Sequence, residues 1–159
     1  MEIRKAKIEE AEETLKIYKS LIGYEGCLWD EYYPNIEIVN NDIKNETLYV
    51  ALIDDEIVGA AQSGIDEELF NMEFFTKEKK NPRDLSRVAV KKEYQKQGIA
   101  RKIIAYIEDE LRKDGVDYMY LTVGKTNIKA YNLYKTIGYE TKGEMVKFDI
   151  DWYCQEKKI

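Results

Sequence analysis

The apolar positions change period several times along the chain, and each change marks an element. Ile3-Arg4-Lys5-Ala6 alternates as a short strand does, and Ala11, Leu15, Tyr18 and Ile22 then recur at helical spacing until Gly23. A Tyr-rich stretch, Leu28-Trp29-Asp30-Glu31-Tyr32-Tyr33-Pro34, precedes a second predicted helix carrying Ile36, Ile38, Val39 and Ile43. Two apolar runs, residues 47–53 and 57–63, flank Asp54-Asp55-Glu56, the pattern of an antiparallel hairpin closed by a tight acidic turn. Residues 66–83 mix Phe70, Met72, Phe74 and Phe75 with charges and read as a connection folded over the core. A strand follows over 85–90, then a helix over 98–113 with Ile99, Ile103, Ile107 and Leu111 on its apolar face. A strand over 118–123, a helix over 127–137 ending at Gly138, and strands over 139–146 and 150–156 complete the order.

Strands and helices interleave, but the hairpins forbid an all-parallel sheet. The expected fold is therefore α/β, a three-layer mixed sheet with helices on both faces. The chain has 159 residues, 44% hydrophobic and 35% charged, without repeats or low-complexity tracts, so one domain over 1–159 is expected.

Composition removes several chemistries. There is no histidine, and Cys27 and Cys154 lie far apart without metal-ligand spacing, so both are expected as reduced thiols and no metal is expected. A net charge of −6 disfavours nucleic acid as a partner and suits a cationic, amine-bearing substrate. No apolar run approaches the ~20 residues of a membrane helix, and Met1-Glu2-Ile3-Arg4-Lys5 lacks the apolar core of a secretory signal. A cytoplasmic protein without membrane contact is expected.

The most informative stretch runs from the strand ending at Val90 through Gln95, Lys96, Gln97 and Gly98 into a helix that begins Ile99-Ala100-Arg101. The first amides of a helix lack partners within it, glycine allows close backbone approach, and Lys96 and Arg101 add full charges. Those residues fit a turn that holds a pyrophosphate; taken alone they fit equally an ordinary strand–helix turn with solvated charges. Neither Gly-x-Gly-x-x-Gly after a first strand nor a Gly-Lys-Ser/Thr phosphate loop is present.

Residues 85–101 resemble motif A of the GNAT superfamily of acyl-CoA N-acyltransferases, Gln/Arg-x-x-Gly-x-Gly/Ala, with Gln95, Gly98 and Ala100 in its fixed places. Asn127-Ile128-Lys129-Ala130-Tyr131-Asn132-Leu133-Tyr134, with Gly138-Tyr139 after it, resembles motif B of the same superfamily. The resemblance implies the acyl-CoA N-acyltransferase fold and an enzyme that moves an acetyl group from acetyl-CoA to a primary amine by direct transfer through a ternary complex. It implies that Val88, Ala89 and Val90 hold the pantetheine arm through their backbone, that residues 95–101 hold the diphosphate, and that Asn127 orients the pantetheine or a water. It assigns Tyr134 the protonation of the departing thiolate, a task suited to a phenol of pKa about 10.

The chain departs from the family at the base. Thr122 stands where members acting on protein amino termini often carry a glutamate, five residues before Asn127. Members acting on lysine keep a glutamate four residues before the place of Val88, and Asp84 occupies it here. Asp84 is the candidate base, acting through a water, and pairing with Arg87 is an equal reading of the same carboxylate; Glu73 is a second candidate. Trp29, Tyr32, Tyr33 and residues 70–75 are expected to edge the acceptor pocket, for a small-molecule or peptide amine. A non-catalytic acyl-CoA-binding or sensing domain of the same fold is the alternative, and residues 24–33 are a candidate homodimer surface.

Overall fold

The computed structural model describes residues 1–159. In chain order its elements are β1 (Glu2–Lys5), α1 (Ala11–Ser20), α2 (Ile36–Lys44), β2 (Leu48–Ile53), β3 (Glu56–Gln62), α3 (Glu67–Phe70), β4 (Arg83–Asp84), β5 (Ser86–Val90), α4 (Ile99–Lys113), β6 (Tyr118–Gly124), α5 (Ile128–Thr136), β7 (Glu140–Lys147) and β8 (Ile150–Lys158). This is the expected mixed α/β architecture, with the strands divided between two four-stranded sheets. Contacts divide the chain into two compact units, residues 1–63 with 87–107 and residues 64–86 with 108–159.

The first unit is built on the sheet β1-β2-β3-β5. The hairpin β2–β3 closes through Asp54 and Asp55, both at positive φ (50° and 64°), the backbone of a two-residue turn whose twist matches the strands. The expected three-residue turn is thus one residue shorter, with Glu56 already in β3. On one face, Leu48, Val50, Leu52, Ile57, Ala60 and Ala89 pack against Ala11, Ile17 and Tyr18 of α1 and Val39 and Ile43 of α2. α2 starts cleanly because the Asn35 side chain accepts from the Ile38 amide at 3.0 Å. The other face receives the beginning of α4: the Tyr49 and Tyr106 rings meet edge-on at 6.2 Å. The three layers of this unit are two helices, the sheet, and a third helix.

Gly59 lies on that second face. A Cβ placed there would stand 3.0 Å from Ile103 Cδ1 and 3.1 Å from the Ala89 carbonyl oxygen, so helix and strand approach as closely as they do only because this residue has no side chain.

The second unit is built on β4-β6-β8-β7, where β4 and β6 are parallel and the other pairs antiparallel. Residues 66–83 do more here than connect: α3, capped by Asp66, and the loop after it drive Leu69, Phe70 and Phe75 into a core with Tyr120 and Cys154. Phe75 meets Tyr120 edge-on at 4.6 Å. Beside Met119 of β6, the buried Glu108 carboxylate accepts from Tyr139 Oη at 3.2 Å and from Lys157 Nζ at 2.7 Å, which satisfies a charge that burial would otherwise penalise heavily. Both cysteines are free thiols, as expected, with Cys154 buried. No helix is long and apolar enough to cross a membrane.

Gly59→Val is expected to destabilise the protein by about 2 kcal/mol, because the Ala89 backbone cannot yield as a flexible side chain would. Urea denaturation measures it, and an unchanged midpoint would contradict the close packing described.

Candidate active site

β5 ends against β3, where the Lys91 amide donates to the Val58 carbonyl at 2.8 Å. A short 3-10 turn at Lys92–Tyr94 then reverses the chain, and Gln95 Nε2 reaches back to the Val90 carbonyl at 3.0 Å. That bond fixes the span between strand and helix. Lys96 and Gly98 both take positive φ (63° and 77°), and the helix follows at Ile99, which is buried and anchors the turn. The first helical bond runs from the Lys102 amide to the Gly98 carbonyl at 3.1 Å. The amides of Gly98, Ile99 and Ala100 therefore precede the helical ladder.

Two further features suit this end to an anion. Helices commonly carry acids in their first turn to offset the dipole, and α4 has none. A Cβ built on Gly98 would meet no atom within 4 Å, so the backbone is approachable, and Lys96, Gln97 and Arg101 around it are exposed. The residues fit a diphosphate.

In β5 itself Val88 is half-buried and the side chains of Ala89 and Val90 are buried, which leaves chiefly the backbone of this stretch for a ligand. Arg87, just ahead of it, donates from Nη2 to Asp42 Oδ2 at 2.6 Å and from Nη1 to Tyr33 Oη at 2.9 Å. It thus forms an ion pair with Asp42, on α2. Burial pushes the Asp42 carboxyl upward and the Arg87 charge pulls it back. The sequence reading missed Asp42; the signal was a carboxylate three residues after Val39 and one before Ile43, on the apolar face of the helix.

The second unit holds the remaining candidates. Asp84 is half-buried in β4, and its Oδ1 accepts from the Gly64 amide at 3.0 Å. Asn127 is the N-cap of α5, its Oδ1 accepting from the Ala130 amide at 3.3 Å, which orients the side chain and leaves its amide nitrogen for a ligand role. Tyr134 is 9% exposed, with its ring edge-on to Tyr139 at 6.0 Å. Burial alone raises its phenol well above the usual range. Thr122 is half-buried opposite Cys154 of β8, and Glu73 is exposed. Phe70 and Phe75, expected at a pocket edge, are instead spent in the core of this unit. In the first unit Trp29 packs edge-on to Tyr18 at 5.2 Å, while Tyr32 is 75% exposed.

A sequence profile of the acetyltransferase (GNAT) family matches residues 14–139. Ribosomal protein bS18-alanine N-acetyltransferase of Escherichia coli is 38% identical over 55 residues, a segment spanning 35% of this chain and 37% of that relative. Among solved structures, ribosomal-protein-alanine N-acetyltransferase of Brucella melitensis superposes with a TM-score of 0.78 at 22% identity, covering 100% of both chains. PaiA N-acetyltransferase of Thermoplasma acidophilum, solved in complex with coenzyme A, superposes with a TM-score of 0.78 at 21% identity, covering 99% of this chain and 98% of that one. These likenesses establish the fold.

Gly98→Ala is expected to cost about 1 kcal/mol through backbone strain alone, since the space around it is open. Chemical denaturation checks this, and a neutral substitution would mean that the turn relaxes out of its left-handed conformation.

Proposed function

The chain belongs to the acetyltransferase (GNAT) family, and from that premise we propose that it moves an acetyl group from acetyl-CoA to a primary amine, on a small molecule or a peptide, by direct transfer through a ternary complex. The observation that carries the reading is the acid-free, approachable start of α4, where Gln95, Lys96, Gln97, Gly98, Ile99, Ala100 and Arg101 would bind the diphosphate. The profile match draws on residues of both units, which supports treating residues 1–159 as one N-acetyltransferase domain.

Bound acetyl-CoA would supply an activated thioester. Backbone groups of Val88, Ala89 and Val90 would orient the pantetheine arm, and an amide there would face the carbonyl oxygen as charge develops on it. Such a donor needs no particular side chain, which agrees with three small or branched apolar residues in these places. The amine attacks only when neutral, so its proton must leave; Asp84 would take it through a water, the bond from Gly64 holding one of its oxygens in place. The amide nitrogen of Asn127 would hold the arm or a water.

Tyr134 would donate its proton to the sulfur as the carbon–sulfur bond breaks. Its raised pKa has a definite sign: the phenol keeps its proton as pH rises through the range where a free tyrosine loses it. The acid is then still protonated in the alkaline range where an amine becomes neutral, although the same burial makes it a weaker acid toward the departing sulfur.

Tyr134→Phe is expected to lower kcat by about 10²-fold with acetyl-CoA affinity within a factor of three; unchanged turnover with the cognate amine would remove its acid role. In the parent enzyme kcat should not fall between pH 8 and 10, and a loss centred near 10 would contradict a phenol held protonated by burial. Asp84→Asn is expected to shift the acid limb of the pH–rate profile, whereas an unaltered profile would assign the proton to another group. Release of free thiol from acetyl-CoA, followed over a panel of amines, identifies the acceptor; release with none of them would favour an acyl-CoA-binding domain without catalysis.

A further inference from the structure

Arg87 is the one residue inside a strand whose φ lies in the left-handed region, at 48°. The other non-glycine residues at positive φ occupy turns or loops, where the chain must reverse. A side chain bearing a Cβ disfavours this conformation, so it persists only where the surroundings over-determine it. Here the surroundings are named: Asp42 Oδ2 holds Nη2 at 2.6 Å, and Tyr33 Oη holds Nη1 at 2.9 Å. The clamp is well shielded, with 13% of the Arg87 side chain and 7% of that of Asp42 exposed. Asp42 stands on a helix fixed at its start by Asn35, so the guanidinium is pulled toward a rigid element.

A left-handed residue in a strand bends it and breaks the regular pairing beside it, as a bulge does. The ladder toward β3 is intact again at Lys91, whose amide donates to Val58. The irregularity therefore lies ahead of Lys91, in the part of the strand that Arg87 opens. Tied to nothing, an arginine at this position would relax to extended backbone, and the amides and carbonyls that follow would turn with it.

We propose that Arg87 is a positioning residue, whose tether to Asp42 and Tyr33 holds the left-handed bend of β5 and so presents the backbone of Val88, Ala89 and Val90 to the acyl carrier. The proposal rests on the acetyl-CoA reading above and gives it a specific device. In this role Arg87 works through the conformation of its own backbone. Asp42 keeps the guanidinium in place, and Tyr33 joins the loop before α2 to the same strand.

Two double variants separate this role from the alternatives. R87G/D42N and R87A/D42N both remove the guanidinium and the buried carboxylate charge, so neither leaves an unpaired ion. They differ in tolerance of positive φ, which glycine adopts freely and alanine resists. If the bend is what matters, the glycine variant binds acetyl-CoA within about threefold of the parent by calorimetry, and the alanine variant binds about tenfold more weakly, with kcat per folded molecule falling in step. Equal affinity and equal kcat in the two variants would overturn the proposal, since a guanidinium that contacts substrate fails alike in both. Tyr33→Phe removes one clamp bond without touching the buried charge and covers the case where a double variant does not fold. It should lower kcat about threefold with an unchanged melting temperature, and full activity would count against the clamp. A parent protein that binds no acetyl-CoA sinks the acyl-carrier reading and the clamp with it; a parent that binds while the two variants match sinks the clamp alone.

Discussion

The constraint on which the candidate site depends is the exposed start of α4. Backbone amides there precede the helical ladder, which begins at Lys102, and no acidic side chain of the first turn offsets the dipole. Such an end is electrostatically incomplete, and a bound anion completes it more effectively than water does. Everything nearby keeps it so. Ile99 and Ile103 anchor the helix in the core, Gly59 lets the helix approach the sheet, and Gln95 ties the turn to Val90. A helix free to slide along its axis would blur the position of these amides, and the packing at Gly59 leaves little freedom of that kind.

The strand leading into this turn serves a complementary purpose. Val88, Ala89 and Val90 offer little reactive side-chain chemistry, yet they are followed by the turn and preceded by the left-handed backbone of Arg87. On the proposed reading, β5 and α4 work as one continuous binding segment, the strand addressing an extended arm and the helix start its charged end. The second unit, taken by itself, holds candidates of a different kind. Its candidates are a phenol kept protonated by burial and a carboxylate held by the Gly64 amide, and each is set by local packing.

Much of this was legible in the sequence because it is written locally. The period of Ile99, Ile103, Ile107 and Leu111 marked α4, and all four are buried as that period requires. Gln95, Gly98 and Ala100 marked the turn through a spacing of a few residues, and Asp54 and Asp55 marked a hairpin. What escaped is long-range. Arg87 and Asp42 are separated by 45 positions, and only the fold brings them together, so the carboxylate three residues away in sequence, Asp84, drew the reading instead. Phe70 and Phe75 looked like loop aromatics because the short helix between Asp66 and Asn71 has too few residues to show a period, and their burial against Tyr120 is a tertiary fact. The division of the strands into two sheets rests on register between distant segments, which no local pattern encodes.

The electrostatic reading of α4 is tested most directly by calorimetric titration of the intact protein with acetyl-CoA and, in parallel, with S-acetylpantetheine, which carries the same thioester and arm but no diphosphate. If the open amides beginning at Gly98 hold that group, the nucleotide-bearing ligand binds at least about 10²-fold more tightly, and added salt narrows the gap. Equal affinity for the two ligands, or no heat with acetyl-CoA at all, would contradict the account.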